Sequence, residues 1–244
     1  MKVQRVLPQR TVDGTLGLDV RGDSYQSQYV SPVTWGALAA ADEGAYFAAV
    51  NATDNTAITS SIATAYSGTA SGFVALQNTD TGSDAGAAKR IYLDYIKLIT
   101  KVVPANATDL RAVVDIDSVL SRFTSGGTTI TPVNVNMTSN VTSIAALNVG
   151  ALTTVALSSK GRTVSRNIVR GQIPLTLETI TFVFGAVDKA SAGYNVTSAT
   201  PINASFVCPP VVLGPGHTLV LSLFGTAYAI TASTYQIEMG WLER

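Results

Sequence analysis

Towards the C-terminal end of the chain, Tyr235, Ile237, Met239 and Trp241 alternate strictly with Gln236, Glu238 and Gly240. A period of two puts the four large apolar side chains on one face of an extended strand. The same rhythm recurs upstream. Leu110, Ala112, Val114 and Ile116 alternate with Arg111, Asp115 and Asp117, Ile180, Phe182 and Phe184 make one apolar face, and Leu219, Leu221 and Leu223 make another. Gly, Asn, Asp, Ser and Pro separate these runs at spacings of about ten residues, and no stretch has the period of a long amphipathic helix. That pattern confines the chain to an all-β fold, an antiparallel sandwich or barrel.

Residues 1–35 stand apart. Arg5, Arg10, Arg21, Pro8 and Pro32 with little alternation read as an extended arm that takes its order from something else. Residues 36–244 read as a single β-sandwich domain, a size at which all-β chains commonly form one unit. Within it, Ala37–Ala49 is Ala-rich enough for a short helix that Gly44 interrupts. From Arg90 to Val103 the apolar phase changes, with Ile91, Leu93 and Tyr95 on one face and then Ile96 and Leu98, which predicts a β-bulge or a strand buried on both sides. Gly126-Gly127 is expected to precede a strand from Thr128 to Met137, with Pro132 marking an edge or a kink. Residues 139–159 are ambiguous: Ile144–Leu147 fits one helical turn, while Gly150 and the Thr pair favour strand.

Charge narrows the partners. Charged residues make up 13% of the chain, about half the usual ~25%. Sixteen basic and sixteen acidic residues cancel, so the broad positive field required by nucleic acid or anionic lipid is missing. Small neutral polar surfaces of this kind lose little on desolvation and suit packing against other protein. No apolar run reaches the ~18 residues of a membrane helix. The opening MKVQRVLPQRTVDG lacks the apolar stretch of a secretory signal, and the Asn-X-Thr/Ser triplets at Asn51, Asn106, Asn136, Asn140, Asn195 and Asn203 read as chance matches. A protein made in the cytoplasm and soluble there is the expectation.

Candidate chemistry is sparse. Nucleophilic catalysis needs a histidine base with an orienting partner, and His217 is the one histidine, in the turn Gly214-Pro215-Gly216-His217. The one cysteine, Cys208, excludes an internal disulfide and reads as a buried hydrophobe before Pro209-Pro210, with a Cys208–His217 dyad as the reactive alternative. Asp115 and Asp117 share a strand face and Asp80 and Asp84 share a loop. The first pair reads as a solvent-facing strand end and the second as turn chemistry; glycosidic hydrolysis and a calcium site are the sharper alternatives. Zinc spacing is absent, and no cofactor or metal is expected. Arg21-Gly22-Asp23 spells an integrin-type triplet in the arm, where chance explains it. Arg162, Arg166 and Arg170 recur every four residues. They line up on a helix or point outward from a strand, either as a solvated face or as an intersubunit contact.

Several segments carry a resemblance when read in order: Asp42-Glu43-Gly44-Ala45-Tyr46-Phe47, Leu76-Gln77-Asn78, Lys89-Arg90-Ile91-Tyr92-Leu93-Asp94-Tyr95, Arg122–Thr128 with Thr131-Pro132-Val133-Asn134, Phe184-Gly185, Pro209–Gly216 and Glu238–Arg244. From about residue 40 onward the chain resembles structural proteins of tailed-bacteriophage virions. The resemblance implies a jelly-roll sandwich that trimerises and decorates or cements a capsid. It therefore implies a homotrimer, the major capsid protein or other virion proteins as partners, and no catalytic residues. Arg5, Arg10, Arg21, Arg162, Arg166 and Arg170 are then the candidate subunit or capsid contacts. The alternative is a tail or head-fibre protein whose loops at 78–88 and 186–200 bind a host surface glycan; a surface hydrolase is the third.

Overall fold

In the computed structural model of the chain, the described residues are 20–22, 28–30, 36–51, 57–60, 65–69, 72–82, 88–102, 109–170, 176–185, 203–225 and 233–244. The strands, in chain order, are β1 (Val20–Gly22), β2 (Gln28–Val30), β3 (Tyr46–Val50), β4 (Ile58–Thr59), β5 (Gly72–Asn78), β6 (Ile91–Val102), β7 (Leu110–Asp117), β8 (Phe123–Ile130), β9 (Val133–Asn134), β10 (Ala145–Thr154), β11 (Arg162–Arg170), β12 (Thr179–Phe184), β13 (Asn203–Cys208), β14 (Val212–Leu213), β15 (Thr218–Phe224) and β16 (Thr234–Glu243). One helix, α1 (Gly36–Asp42), precedes β3, and a single 3-10 turn, Leu120–Arg122, precedes β8.

Alternation sorts β3 to β16 into two sheets. One has the order β11-β7-β15-β5-β10-β8. The other runs β13-β12-β6-β16-β3-β9, with β4 beside β16 and β14 beside β6. Along the chain β3, β5, β6 and β7 fall in alternate sheets, and β11, β12, β15 and β16 do so again. The result is two facing four-strand sets, β11-β7-β15-β5 and β12-β6-β16-β3, all antiparallel within each set. This is the jelly-roll-like sandwich. One edge departs from the antiparallel expectation: β12 and β13 are parallel, in register from Thr179↔Asn203 to Phe184↔Cys208.

The core lies between the sheets. Trp241, Tyr235, Phe47, Phe73, Phe182, Leu76 and Leu98 are fully buried there, each contributing ~1.5–3 kcal/mol by leaving water. Phe73 meets Tyr235 edge-on with ring centroids 5.3 Å apart, an arrangement the ring quadrupoles favour. In β6 the phase change is a bulge: Gly240 lies opposite Tyr95 and Trp241 opposite Leu93, so Asp94 is the extra residue. That slip keeps Leu93 and Ile96 both inward.

Local chemistry sets the other boundaries. α1 ends in a Schellman motif, with Ala45 N donating to Ala40 O at 2.7 Å and Gly44 N to Ala41 O at 3.0 Å. Gly44 takes the φ of +70° that this cap requires. Residues 145–154 are strand, as Gly150 and the Thr pair favour. Gly126 and Gly127 lie inside β8 rather than before it, at φ +92° and +72°, where its pairing with β10 slips. Pro132 follows β8, an edge of one sheet, and precedes β9, an edge of the other. It sits where the chain changes sheets and no ladder N–H is needed. Of the arm, β1 and β2 pair antiparallel with Arg21 opposite Tyr29; Arg5 and Arg10 lie outside the described residues.

Candidate interaction surfaces

The residues with reactive side chains are held in structural positions. His217 N donates to Gly214 O at 3.1 Å, and His217 O accepts from Asn78 N at 2.9 Å, so the histidine closes the turn into β15. Cys208 is on β13, an edge of the other sheet, with Ser165 Oγ at 3.4 Å and Asn167 Nδ2 at 3.9 Å as polar neighbours. Burial pushes its thiol above the ordinary range, against the lowering effect of those two groups. The structure does not bring Cys208 and His217 together. Asp80 accepts from Gly82 N at 3.0 Å and Lys89 N at 2.7 Å, and these bonds hold its carboxyl below the usual range. It is turn chemistry; Asp84 lies outside the described residues, as does the whole 186–200 loop.

Asp115 and Asp117 require a correction. They are 1% and 2% exposed, not solvent-facing. They point outward from β7, but a layer of chain covers them. Arg122 Nη2 lies 3.4 Å from Asp115 Oδ2, with both side chains 1% exposed. Tyr66 Oη donates to Asp115 Oδ2 at 2.5 Å and Thr163 Oγ1 to Oδ1 at 2.8 Å. Arg122 Nη1 donates to the carbonyls of Gly68 and Val155. Ser158 donates to Asp117 through its hydroxyl and, at 2.7 Å, its amide. Burial and the bond to Asp115 push the Tyr66 hydroxyl up to about 12.

The arginine trio is strand, not helix, and does not share one face. Val164 and Val169 are extra residues in the pairing of β11 with β7. Arg166 therefore sits opposite outward Val113, whereas Arg162 and Arg170 hold register positions opposite inward Ile116 and Leu110. Arg166 lies over the Tyr66 ring, 5.6 Å from its centroid. Arg162 donates to Gly161 O at 2.7 Å and Ser159 O at 3.2 Å. Two of the candidate contacts thus fasten local chain.

The outer face of the β13-to-β9 sheet is different. Tyr46, Tyr92, Tyr95, Lys97, Thr181 and Leu242 point away from the core and stay half-buried. Tyr46 Oη donates to Asp94 Oδ2 at 2.7 Å, Tyr95 Oη to Glu238 Oε1 at 2.7 Å, and Lys97 Nζ to Glu238 Oε2 at 2.9 Å. Burial, reinforced by those carboxylates, pushes the Tyr46 and Tyr95 hydroxyls well above their ordinary range. The rings cross over Gly240, where a Cβ would meet Tyr46 Oη at 2.3 Å and Tyr95 Cε1 at 2.6 Å.

At the β9 edge the sequence alternates Val133-Asn134-Val135-Asn136-Met137, and the asparagines face in. Asn134 Nδ2 donates to Gly44 O at 2.8 Å and Val141 O at 3.2 Å, and Asn136 Nδ2 to Asp42 O at 2.8 Å. Val133, Val135 and Met137 are 57%, 42% and 97% exposed. Sequence reasoning missed this strip, because alternation shows which residues share a face and not which face is inside.

Several of the short segments singled out in the sequence meet as joints. Arg244 pairs with Glu43 at 2.9 Å, and its backbone pairs with Arg90. Glu243 accepts from Trp241 Nε1 at 2.9 Å, Ile144 N at 3.0 Å and the Ser143 hydroxyl. Asn78 Nδ2 donates to Lys89 O at 2.9 Å and Leu213 O at 3.0 Å. Among the described residues no group of three or more His, Cys, Asp and Glu is placed to hold a metal, and no helix is long and apolar enough to cross a membrane. Comparison with protein-family models, with curated proteins and with solved structures gives no match.

Proposed function

We propose that this chain is a non-enzymatic structural protein of a tailed-bacteriophage virion, a capsid decoration or cement protein that acts as a homotrimer and bridges neighbouring shell subunits. The observation that carries the non-enzymatic part is that His217, Cys208, Asp80, Asp115 and Asp117 each lie in a turn, a core edge or a covered hydrogen-bond network. The virion assignment rests on the ordered motifs from Asp42 to Arg244. A rigid sandwich with fixed polar groups suits a mechanical role: it spans two shell subunits and raises the free energy needed to separate them, and repeated copies multiply modest affinities.

Sedimentation with capsids tests the reading. Purified protein mixed with undecorated phage heads is expected in the pellet at saturable stoichiometry, with density on the outer shell by electron microscopy. Protein that remains in the supernatant at every concentration overturns it. His217→Ala is expected to leave capsid binding unchanged.

A further inference from the structure

Of the eleven large apolar side chains exposed among the described residues, four share one face. Val50, Val133, Val135 and Val212 are 53%, 57%, 42% and 41% exposed. All four map to the outer face of the β13-to-β9 sheet: Val133 lies beside outward Ala48, Val135 N donates to Tyr46 O, and Val212 lies opposite Tyr92. They rim the patch made by Tyr46, Tyr95 and Gly240. Tyrosine at the centre with few unpaired charges is the composition of a protein interface rather than of ordinary surface.

We propose that this face is where a second copy of the chain docks, which names the surface for the self-association in the reading above and rests on it. Three observations select a copy of the chain as the occupant. First, the charges in the patch balance, Lys97 and Lys101 against Asp94 and Glu238, and the whole chain carries no net charge, so the face packs against a neighbouring copy around a closed ring without a like-charge penalty and offers nothing special to a strongly charged partner. Second, six strands at ~4.8 Å spacing and ~3.3 Å per residue give a face of roughly 25 Å by 25 Å. That is on the order of 600 Å² before side-chain relief, comparable with the ~800 Å² each partner buries in a standard interface. Third, the valine row is held outward by hydrogen-bonded Asn134 and Asn136, so it cannot relieve its exposure by turning over. The tyrosines are likewise tied in place and lose little side-chain entropy on docking.

The test uses the full chain. Analytical ultracentrifugation at micromolar concentration is expected to give a multiple of the 25.4 kDa protomer mass. The double variant Val50→Glu/Val133→Glu is expected to sediment as the protomer, or with a dissociation constant raised at least tenfold. Ile168→Glu, on the outer side of β11 and 62% exposed, serves as the control and is expected to keep the wild-type mass. Circular dichroism and thermal melting confirm that each variant is folded. If the double variant folds and keeps the wild-type mass, or if Ile168→Glu alone breaks the assembly, the face is wrong while self-association stands. A wild-type protomer that binds capsids but loses binding in the double variant gives the face to a shell protein and overturns the proposal. A multimer broken by the double variant that never binds capsids keeps the face and removes the virion role.

Discussion

The two sheets of the sandwich finish their outer surfaces in opposite ways. On the β11-to-β8 sheet the outward positions Ala75, Val113, Asp115, Val220 and Ser222 are no more than 1% exposed. Residues 65–69, 118–122 and 155–161 lie over them, pinned by bonds such as Thr218 Oγ1 to Val119 O at 2.9 Å and Gln77 Nε2 to Leu120 O at 2.8 Å. On the other sheet the outward tyrosines, carboxylates and lysine bond among themselves and stay half exposed. Among the described residues, loops cover one face and leave the other in a finished but open state. An outward carboxylate is therefore a core element on one sheet and a surface element on the other, although the strand patterns are alike.

The largest effect is expected where a covered charge loses its partner. Arg122→Met strands Asp115 in a buried site and should lower stability by ~3–5 kcal/mol, read by urea or thermal unfolding. Adding Asp115→Asn should recover part of that loss; if Arg122→Met unfolds like the parent, the covered network is not a core element. Gly240→Ala comes next. Its methyl group must displace the Tyr46 and Tyr95 rings, a cost of ~1–3 kcal/mol by overpacking, and Tyr46→Phe should relieve only part of it, because Tyr95 Cε1 still lies 2.6 Å from the added carbon.

Acid and salt separate the two faces more finely. Burial raises the Asp117 pKa, but the hydroxyl and amide of Ser158 outweigh it and hold the carboxyl below the ordinary value. Glu238 is also held below its ordinary 4.5, first by its bond from Lys97 and then against the raising effect of burial. A depressed carboxylate stabilises the fold fully above its unfolded pKa, and that contribution is lost as pH falls through the lower folded value. Both contributions should therefore be intact at neutral pH and disappear below about pH 4. High salt should weaken the Lys97–Glu238 pair and leave Asp117 with Ser158 nearly unchanged, which NMR titration of the two carboxyls measures. The smallest effect belongs to Arg244→Ala: its partner Glu43 is half exposed, and ~0.5 kcal/mol or less is expected.

Much of this fold is written in local pattern. The strict alternation at Tyr235–Trp241 gave β16 its inward face, and the phase change read beyond Tyr95 marked a bulge in β6, although the extra residue is Asp94 and Tyr95 turns outward rather than joining Ile91 and Leu93. Gly44 marked the end of α1. What the pattern could not carry is anything decided across space. Nothing about Asp115 announces that Arg122 and Tyr66 will close over it. The bulges at Val164 and Val169 turn two more valines inward and break the four-residue spacing of the arginines between faces. The parallel pairing of β12 with β13 depends on a connection whose path no periodicity reveals. At the candidate surface, the pattern put Tyr95 on one face with Ile91 and Leu93, and only the fold shows that it turns outward and crosses over Gly240 with Tyr46. The Val-Asn alternation at 133–137 went unread, and its polarity is set by the carbonyls of Asp42 and Gly44 that the asparagines reach.

Strand β16 lies between β3 and β6 and is later in the chain than both. A ribosome therefore delivers both flanking strands before the one that joins them. Until it emerges, two rows of backbone amides and carbonyls wait unpaired, and their apolar faces have no Trp241 or Tyr235 to close against. Nascent protein should depend on holdase chaperones through that interval, and ribosome-bound chains stalled before Thr234 should remain sensitive to protease while released chains become resistant.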